Sequence, residues 1–196
     1  LTLPPRVPII KITAGVEQKG ETIMAKTVDK KAPEKAFELG KEYEKAYMGC
    51  SQCAMGALQD ALGIRNDDIF KASTALAGGG CGTIDGSCGA YSASLMVLGY
   101  LIGRDRDNFG DLEQISLDSR TYKLARKFRE KYLKEYGSVI CRDIQTKVLG
   151  RPYYIVDPDE LEKFEAIGGH GDKGCPVVVA KAAKWMAELI LEEGLL

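Results

Sequence analysis

Six cysteines stand out in a chain of 196 residues. A thiol that attacks a bond or holds a metal must act as the thiolate. A helix N-terminus favours that form through its partial positive charge and free N–H groups. Four of the cysteines fall at or beside predicted helix starts. Cys50 follows Gly49, Cys88 follows Gly86-Ser87, Cys141 comes shortly after Ser138, and Cys175 stands directly before Pro176, which suits the first helical position. A buried cysteine is ordinarily a small hydrophobe. Several at helix starts point instead to a site that keeps negative sulfur out of bulk water. The glycine-rich stretch Gly78-Gly79-Gly80-Cys81-Gly82 leads into Cys88. The amides of Gly79, Gly80 and Gly82 are candidate donors to a thiolate or to cluster sulfide.

Helices must position these groups. Ala36, Leu39, Tyr43 and Tyr47 recur at helical spacing, which predicts a helix from Ala32 to about Met48, with Gly40 lowering its propensity. Cys50 opens a second helix that closes at Gly63, and Asn66-Asp67-Asp68 opens a third running to about Ala77. The helix after Cys88, to about Ile102, is apolar on nearly every face and reads as buried. A long amphipathic helix spans about Asp118 to Tyr136, with Leu124, Phe128, Tyr132 and Leu133 as its stripe. Short helices follow from Ser138 and from Asp157-Pro158, and a last one runs from Cys175 to about Glu193. No segment shows strand alternation. The expected fold is all-α: a compact multi-helix bundle in which a Gly/Cys-rich loop feeds a buried central helix.

Composition narrows the function. The chain is 45% hydrophobic and 28% charged with a net charge of −1, so nothing broad favours nucleic acid or anionic membrane. No apolar run reaches the roughly 20 residues of a membrane helix. Residues 1–30 read as a flexible N-terminal extension with Pro4, Pro5 and Pro8, and residues 31–196 as one domain. Met24 resembles a second translation start, which leaves open whether residues 1–23 are translated. A helical chain with ample core and no secretory h-region is expected in a reducing, cytoplasmic setting. There, cysteines serve metal, cluster or catalytic chemistry before structural disulfides.

The remaining motifs exclude more than they assign. Cys50-Ser51-Gln52-Cys53 is followed by Ala54, so c-type haem attachment, which needs His there, is out. A thioredoxin-like pair belongs in a βαβ unit that this chain lacks. The glycine stretch has neither the Gly-Lys-Ser/Thr of a phosphate loop nor a strand before it. His170, the one histidine, lies in a Gly-rich loop five residues before Cys175 and reads first as a solvated side chain. The charge-dense run from Lys123 to Glu135 reads as a solvated helix face.

Taken in order, Gly49-Cys50-Ser51-Gln52, Gly78-Gly79-Gly80, Cys88-Gly89-Ala90, Leu95-Met96-Val97-Leu98-Gly99, Tyr136-Gly137-Ser138, Cys141-Arg142-Asp143 and Cys175-Pro176 resemble the C_GCAxxG_C_C family of redox-active proteins. The likeness runs unbroken over about residues 35–193. It implies Cys50, Cys88, Cys141 and Cys175 as the family cysteines. The same pattern is similar to the non-haem part of split-Soret cytochromes, where an iron–sulfur centre accompanies the haems. Ala93 replaces the family's final Gly, Cys53 and Cys81 are additional, and residues 150–174 are longer than the usual connection.

Three functions stay open at this point. The first is electron transfer through an iron–sulfur cluster on Cys50, Cys88, Cys141 and Cys175, with a redox partner protein not identified. The second is a metal-free thiol–disulfide oxidoreductase, with Cys50 or Cys88 attacking and Cys53 or Cys81 resolving. The third is a structural zinc module. A homodimer that gathers the cysteines across an interface is compatible with each.

Overall fold

The computed structural model describes residues 29–196. The expectations for an N-terminal extension and a Met24 start fall largely on residues 1–28, outside the described residues. Eight α-helices make up the described chain, and no strand occurs among its residues. The chain is all-α, as its periodicities indicate. No described helix is long and apolar enough to cross a membrane.

Helix α1 (Ala32–Tyr47) and helix α2 (Cys50–Leu62) form a hairpin turned by Met48 and Gly49, both at positive φ. The buried ridge of α1 is Ala32, Ala36, Gly40 and Glu44. Leu39 and Tyr43 flank it, and Tyr47 is exposed. Gly40 belongs there because its Cα side lies against the backbone of Ala180, where a Cβ would come within 3.1 Å. Close approach of two helices offsets its weak propensity. Helix α3 (Asp67–Ala72) is capped by Asn66, whose side chain accepts from the N–H groups of Asp68 and Ile69. It is shorter than the sequence suggests. From Thr74 to Gly79 the chain winds as a 3₁₀ turn that breaks at Ala77, which is extended, and at Gly78, whose φ of 60° is open to glycine.

Helix α4 (Gly89–Ile102) buries one side only: Ala90, Tyr91, Ala93, Ser94, Val97 and Leu98 face inward. Leu95 and Met96 are half-buried and Tyr100 is exposed, so an apolar run all round does not mean burial all round. Helix α5 (Arg120–Tyr136) buries Leu124, Phe128, Tyr132 and Tyr136, a strict four-residue ridge that continues to Tyr136 rather than Leu133. Helices α6 (Cys141–Leu149) and α7 (Pro158–Ala166) are short, the second capped by the Asp157 carboxylate and led by Pro158. Helix α8 (Cys175–Glu192) is the most deeply set, with Val179, Ala182, Ala183, Met186, Ala187 and Ile190 fully enclosed. Each large aliphatic side chain so buried contributes about 1.5–3 kcal/mol, enough for α8 to organise the helices around it.

An aromatic cluster joins α4, α5 and α8. Tyr91 stacks on Phe128 at 5.4 Å and meets Tyr132 edge-on at 5.0 Å, and Tyr132 meets Trp185 at 5.6 Å. On the other side, residues 86–88 and 139–141 pair as a short antiparallel clip. Cys88 N–H donates to Val139 O at 2.8 Å, and Cys141 N–H donates to Gly86 O at 3.0 Å. That clip holds two sulfur-bearing helix starts side by side.

Candidate functional site

The N-termini of α2, α4, α6 and α8 meet around one cavity of about 280 Å³, lined by Cys50, Cys88, Cys141 and Cys175. A single water needs only about 10–15 Å³ of such space, so the cavity has room for a multi-atom group. The rest of its wall is mainly apolar, with Ile144, Val148, Ile155 and Phe164 among the residues facing in. Four helix N-termini aimed at one apolar space favour an anionic occupant.

Each cysteine is fixed by its own local rule. Gly49, at φ 84°, turns the chain so that Cys50 begins α2, and the Cys50 Sγ accepts from Gly78 N–H at 3.5 Å. Gly89 lies so close beneath that sulfur that a Cβ there would sit 2.6 Å from it. Cys88 is the residue before the first turn of α4. The Cys141 sulfur accepts from Gln145 Nε2 at 3.9 Å, while the Gln145 carbonyl oxygen accepts from Tyr153 N–H at 2.7 Å. Gln145 thus ties the irregular segment after α6 to the cavity wall. Cys175 N–H donates to Gly169 O at 2.7 Å, which seats α8 on the glycine loop before it.

Burial governs the thiols. It pushes Cys50 and Cys175 well above their ordinary range, with the buried Glu44 adding to the effect, and it raises Cys141 to about 12. Cys88 is raised by burial as well, against the pull of the Tyr91 and Ala90 amides at the start of α4 and of the Tyr132 hydroxyl. Helix starts were expected to lower these thiols. They do act, but removal from water outweighs them. Without a cation the four groups stay neutral S–H.

The glycine amides behave differently from expectation. Gly80 N–H donates to Leu76 O and Gly82 N–H to Ala77 O, so both are spent inside the loop. Gly79 packs its Cα against the Cys141 side chain and serves close approach. Of the glycine amides in this loop, it is that of Gly78 that donates to a sulfur. The chain needs its own N–H groups to close a loop this tight, which leaves few for a ligand.

Cys53 and Cys81 are not walls of this cavity. Cys53 is buried one turn beyond Cys50, and its thiol donates to Met48 O at 3.1 Å. Cys81 is exposed at φ 53°, with its sulfur 3.8 Å from Ala75 O. Two residues that sequence reasoning undervalued do face in: Glu44 and His170. Glu44 sits on the i+4 ridge Ala36-Gly40-Glu44, which is the signal that could have found it. His170 is not a solvated side chain. Its Nδ1 lies 2.6 Å from Glu165 Oε1 and its ring meets Phe164 edge-on at 5.1 Å.

Two hydroxyls complete the picture. Tyr132 and Tyr136 OH are buried with no partner at hydrogen-bond distance, and burial raises both; the Tyr132 hydroxyl is turned toward Cys88 without closing a bond to it. A buried unpaired donor costs about 1–3 kcal/mol. Tyr132→Phe is therefore expected to leave the metal-free chain as stable or slightly more stable in urea denaturation. A loss above about 1 kcal/mol would mean that the hydroxyl is already satisfied there.

A family model described as "Putative redox-active protein (C_GCAxxG_C_C)" matches residues 48–189. No curated protein and no solved structure matches the chain. The family match begins at Met48, on the edge of the cavity, and ends at Leu189 in α8, so it takes in all four cysteines of the wall. The chain belongs to the C_GCAxxG_C_C family.

Proposed function

We propose that this protein carries electrons through an iron–sulfur cluster held by Cys50, Cys88, Cys141 and Cys175. The observation that carries the reading is that four cysteines, each at a helix start, line a single cavity. Among the described residues no three His, Cys, Asp or Glu side chains converge on a point able to hold one metal ion. The sulfurs surround a space. That arrangement suits a multi-atom cluster better than a lone tetrahedral zinc, whose sulfurs lie about 2.3 Å from the metal. When bound, the cluster supplies one-electron chemistry.

The chain's own residues do the rest. With a cluster bound, Cys50, Cys88, Cys141 and Cys175 would hold it as thiolates, their protons released to solvent and the cation offsetting the burial that otherwise keeps them neutral. Gly78 N–H donates to Cys50 Sγ, and the unpaired Tyr132 hydroxyl stands ready to donate beside Cys88. Donors of this kind raise a cluster's reduction potential. The apolar wall excludes water. Met48 and Leu161 line the cavity and are also 52% and 39% exposed, so one side chain separates the cavity from a partner redox protein at that edge.

A metal-free thiol–disulfide mechanism has less support. It needs a low-pKa attacking thiol, and burial raises Cys50 and Cys88. Its resolving partners Cys53 and Cys81 lie off the cavity.

Protein prepared without oxygen is expected to contain iron and acid-labile sulfide and to show visible charge-transfer absorption. Serine at any one of Cys50, Cys88, Cys141 or Cys175 is expected to cut loading sharply, while Cys53→Ser and Cys81→Ser keep it. A chain with neither iron nor sulfide, or one whose four single variants load like the parent, overturns the reading.

A further inference from the structure

We propose that Glu165, His170 and Glu44 form a proton inlet to the cavity, so that each electron entering the centre is matched by a proton taken up at Glu44. The inference rests on the electron-carrying reading above and names a coupling that reading does not contain.

Glu44 is 1% exposed, on the face of α1 that otherwise carries Ala32, Ala36 and Gly40. Its Oε2 is buried with no hydrogen-bond partner; the neighbouring Cys53 thiol, which donates to Met48 O, exerts only a smaller downward pull on the carboxyl than burial exerts upward. An apolar side chain would fill that place without stranding a polar atom, so packing alone does not account for a carboxyl. The nearest proton-carrying ring is His170, whose Nε2 is 3.7 Å from Glu44 Oε1. The other ring nitrogen, Nδ1, is 2.6 Å from Glu165 Oε1, and the Glu165 side chain is 42% exposed. The order is therefore water, Glu165, His170, Glu44, cavity. One ring nitrogen faces each carboxylate, which is the arrangement a relay needs. A ring movement of under about 1 Å would bring Nε2 within hydrogen-bond distance of Glu44 Oε1.

Burial supports the role by raising Glu44 to about 7, where a carboxyl exchanges its proton near neutral pH. The groups acting on its surroundings are Cys50 and Cys53 from α2, Cys88 from α4, Cys175 from α8 and His170 from the loop before α8. Lys41 and Lys45 of its own helix pair outward with Asp172. Among the described residues no Lys or Arg lines this cavity, so an added negative charge there meets no fixed cation, and low dielectric makes it costly. A proton on Glu44 cancels it.

The step balances simply. One electron arrives from a one-electron donor protein, or from dithionite in the assay. One proton arrives from water along the inlet, and the Glu44 carboxylate becomes the acid. Oxidation reverses both.

The experiment is a potentiometric titration of the loaded protein, followed by absorbance across pH 6–8. The parent potential is expected to fall as pH rises, approaching a tenfold change in the reduction equilibrium per pH unit at full coupling. Glu44→Gln is expected to flatten that slope, and His170→Asn to keep it while slowing proton uptake about tenfold in stopped flow. A merely structural Glu44 would alter stability and leave the slope alone. A loaded Glu44→Gln protein with the parent's slope overturns the inlet and leaves the cluster standing. If the parent loads no cluster, the earlier reading fails, and the inlet is judged in the metal-free chain. There, an infrared carboxylic acid band should vanish in Glu44→Gln and should exchange more slowly in His170→Asn. Absence of that band in the parent overturns it.

Discussion

Gly89→Ala is expected to destabilise the metal-free chain by about 1–3 kcal/mol and to abolish loading of the proposed cluster. A Cβ on residue 89 would lie 2.6 Å from Cys50 Sγ, 2.8 Å from Leu76 O and 3.1 Å from Ala77 Cα. Two of those neighbours are backbone, so rotating Cys50 alone does not relieve the clash. Either α4 shifts or the sulfur leaves the wall. Gly99→Ala in the same helix is the control, because a Cβ there meets nothing within 4 Å. It should gain up to about 1 kcal/mol from lower chain entropy in the unfolded state. Urea denaturation and iron content of the two variants decide the matter. Equal stability and equal loading would refute the close packing of Cys50 on the start of α4.

The second large effect is on pH. Burial lifts Glu44 from 4.5 to about 7, so between those values the folded chain keeps a proton that the unfolded chain releases. Stability is then full below pH 4.5 and falls as pH rises to about 7. The total loss is on the order of 3 kcal/mol at about 1.4 kcal/mol per pH unit. A further alkaline loss follows from the thiols, with Cys141 held up to about 12 against 9.0. Urea midpoints of the metal-free chain at pH 5 and 8 should differ accordingly, and Glu44→Gln should remove the difference. If Glu44→Gln retains it, another group is responsible.

Much of the fold could be read from local chemistry. Asn66, Asp157 and Pro158 mark helix starts because their side chains act within a turn of where they stand. Gly63 and Gly137 mark helix ends because both take the left-handed conformation. The cysteine positions at helix starts follow from the same local rules. What stayed hidden depends on partners far along the chain. Glu44 looks like a surface charge until α2 and α8 enclose it. His170 looks solvated until α7 brings Phe164 and Glu165 against it. The thiols look acidic from helix ends alone, yet the depth of the cavity, which no short window reveals, sets the direction. The glycine amides look free in sequence because the loop's internal hydrogen bonds depend on how it folds over itself.

The four sulfurs sit at residues 50, 88, 141 and 175, at or just before the starts of α2, α4, α6 and α8, so the chamber is incomplete until α8 has docked. A nascent chain that has released α2, α4 and α6 owns three sulfurs and no floor. Any occupant that needs all four sulfurs would therefore enter late, and a chain cut short before α8 would lack the fourth.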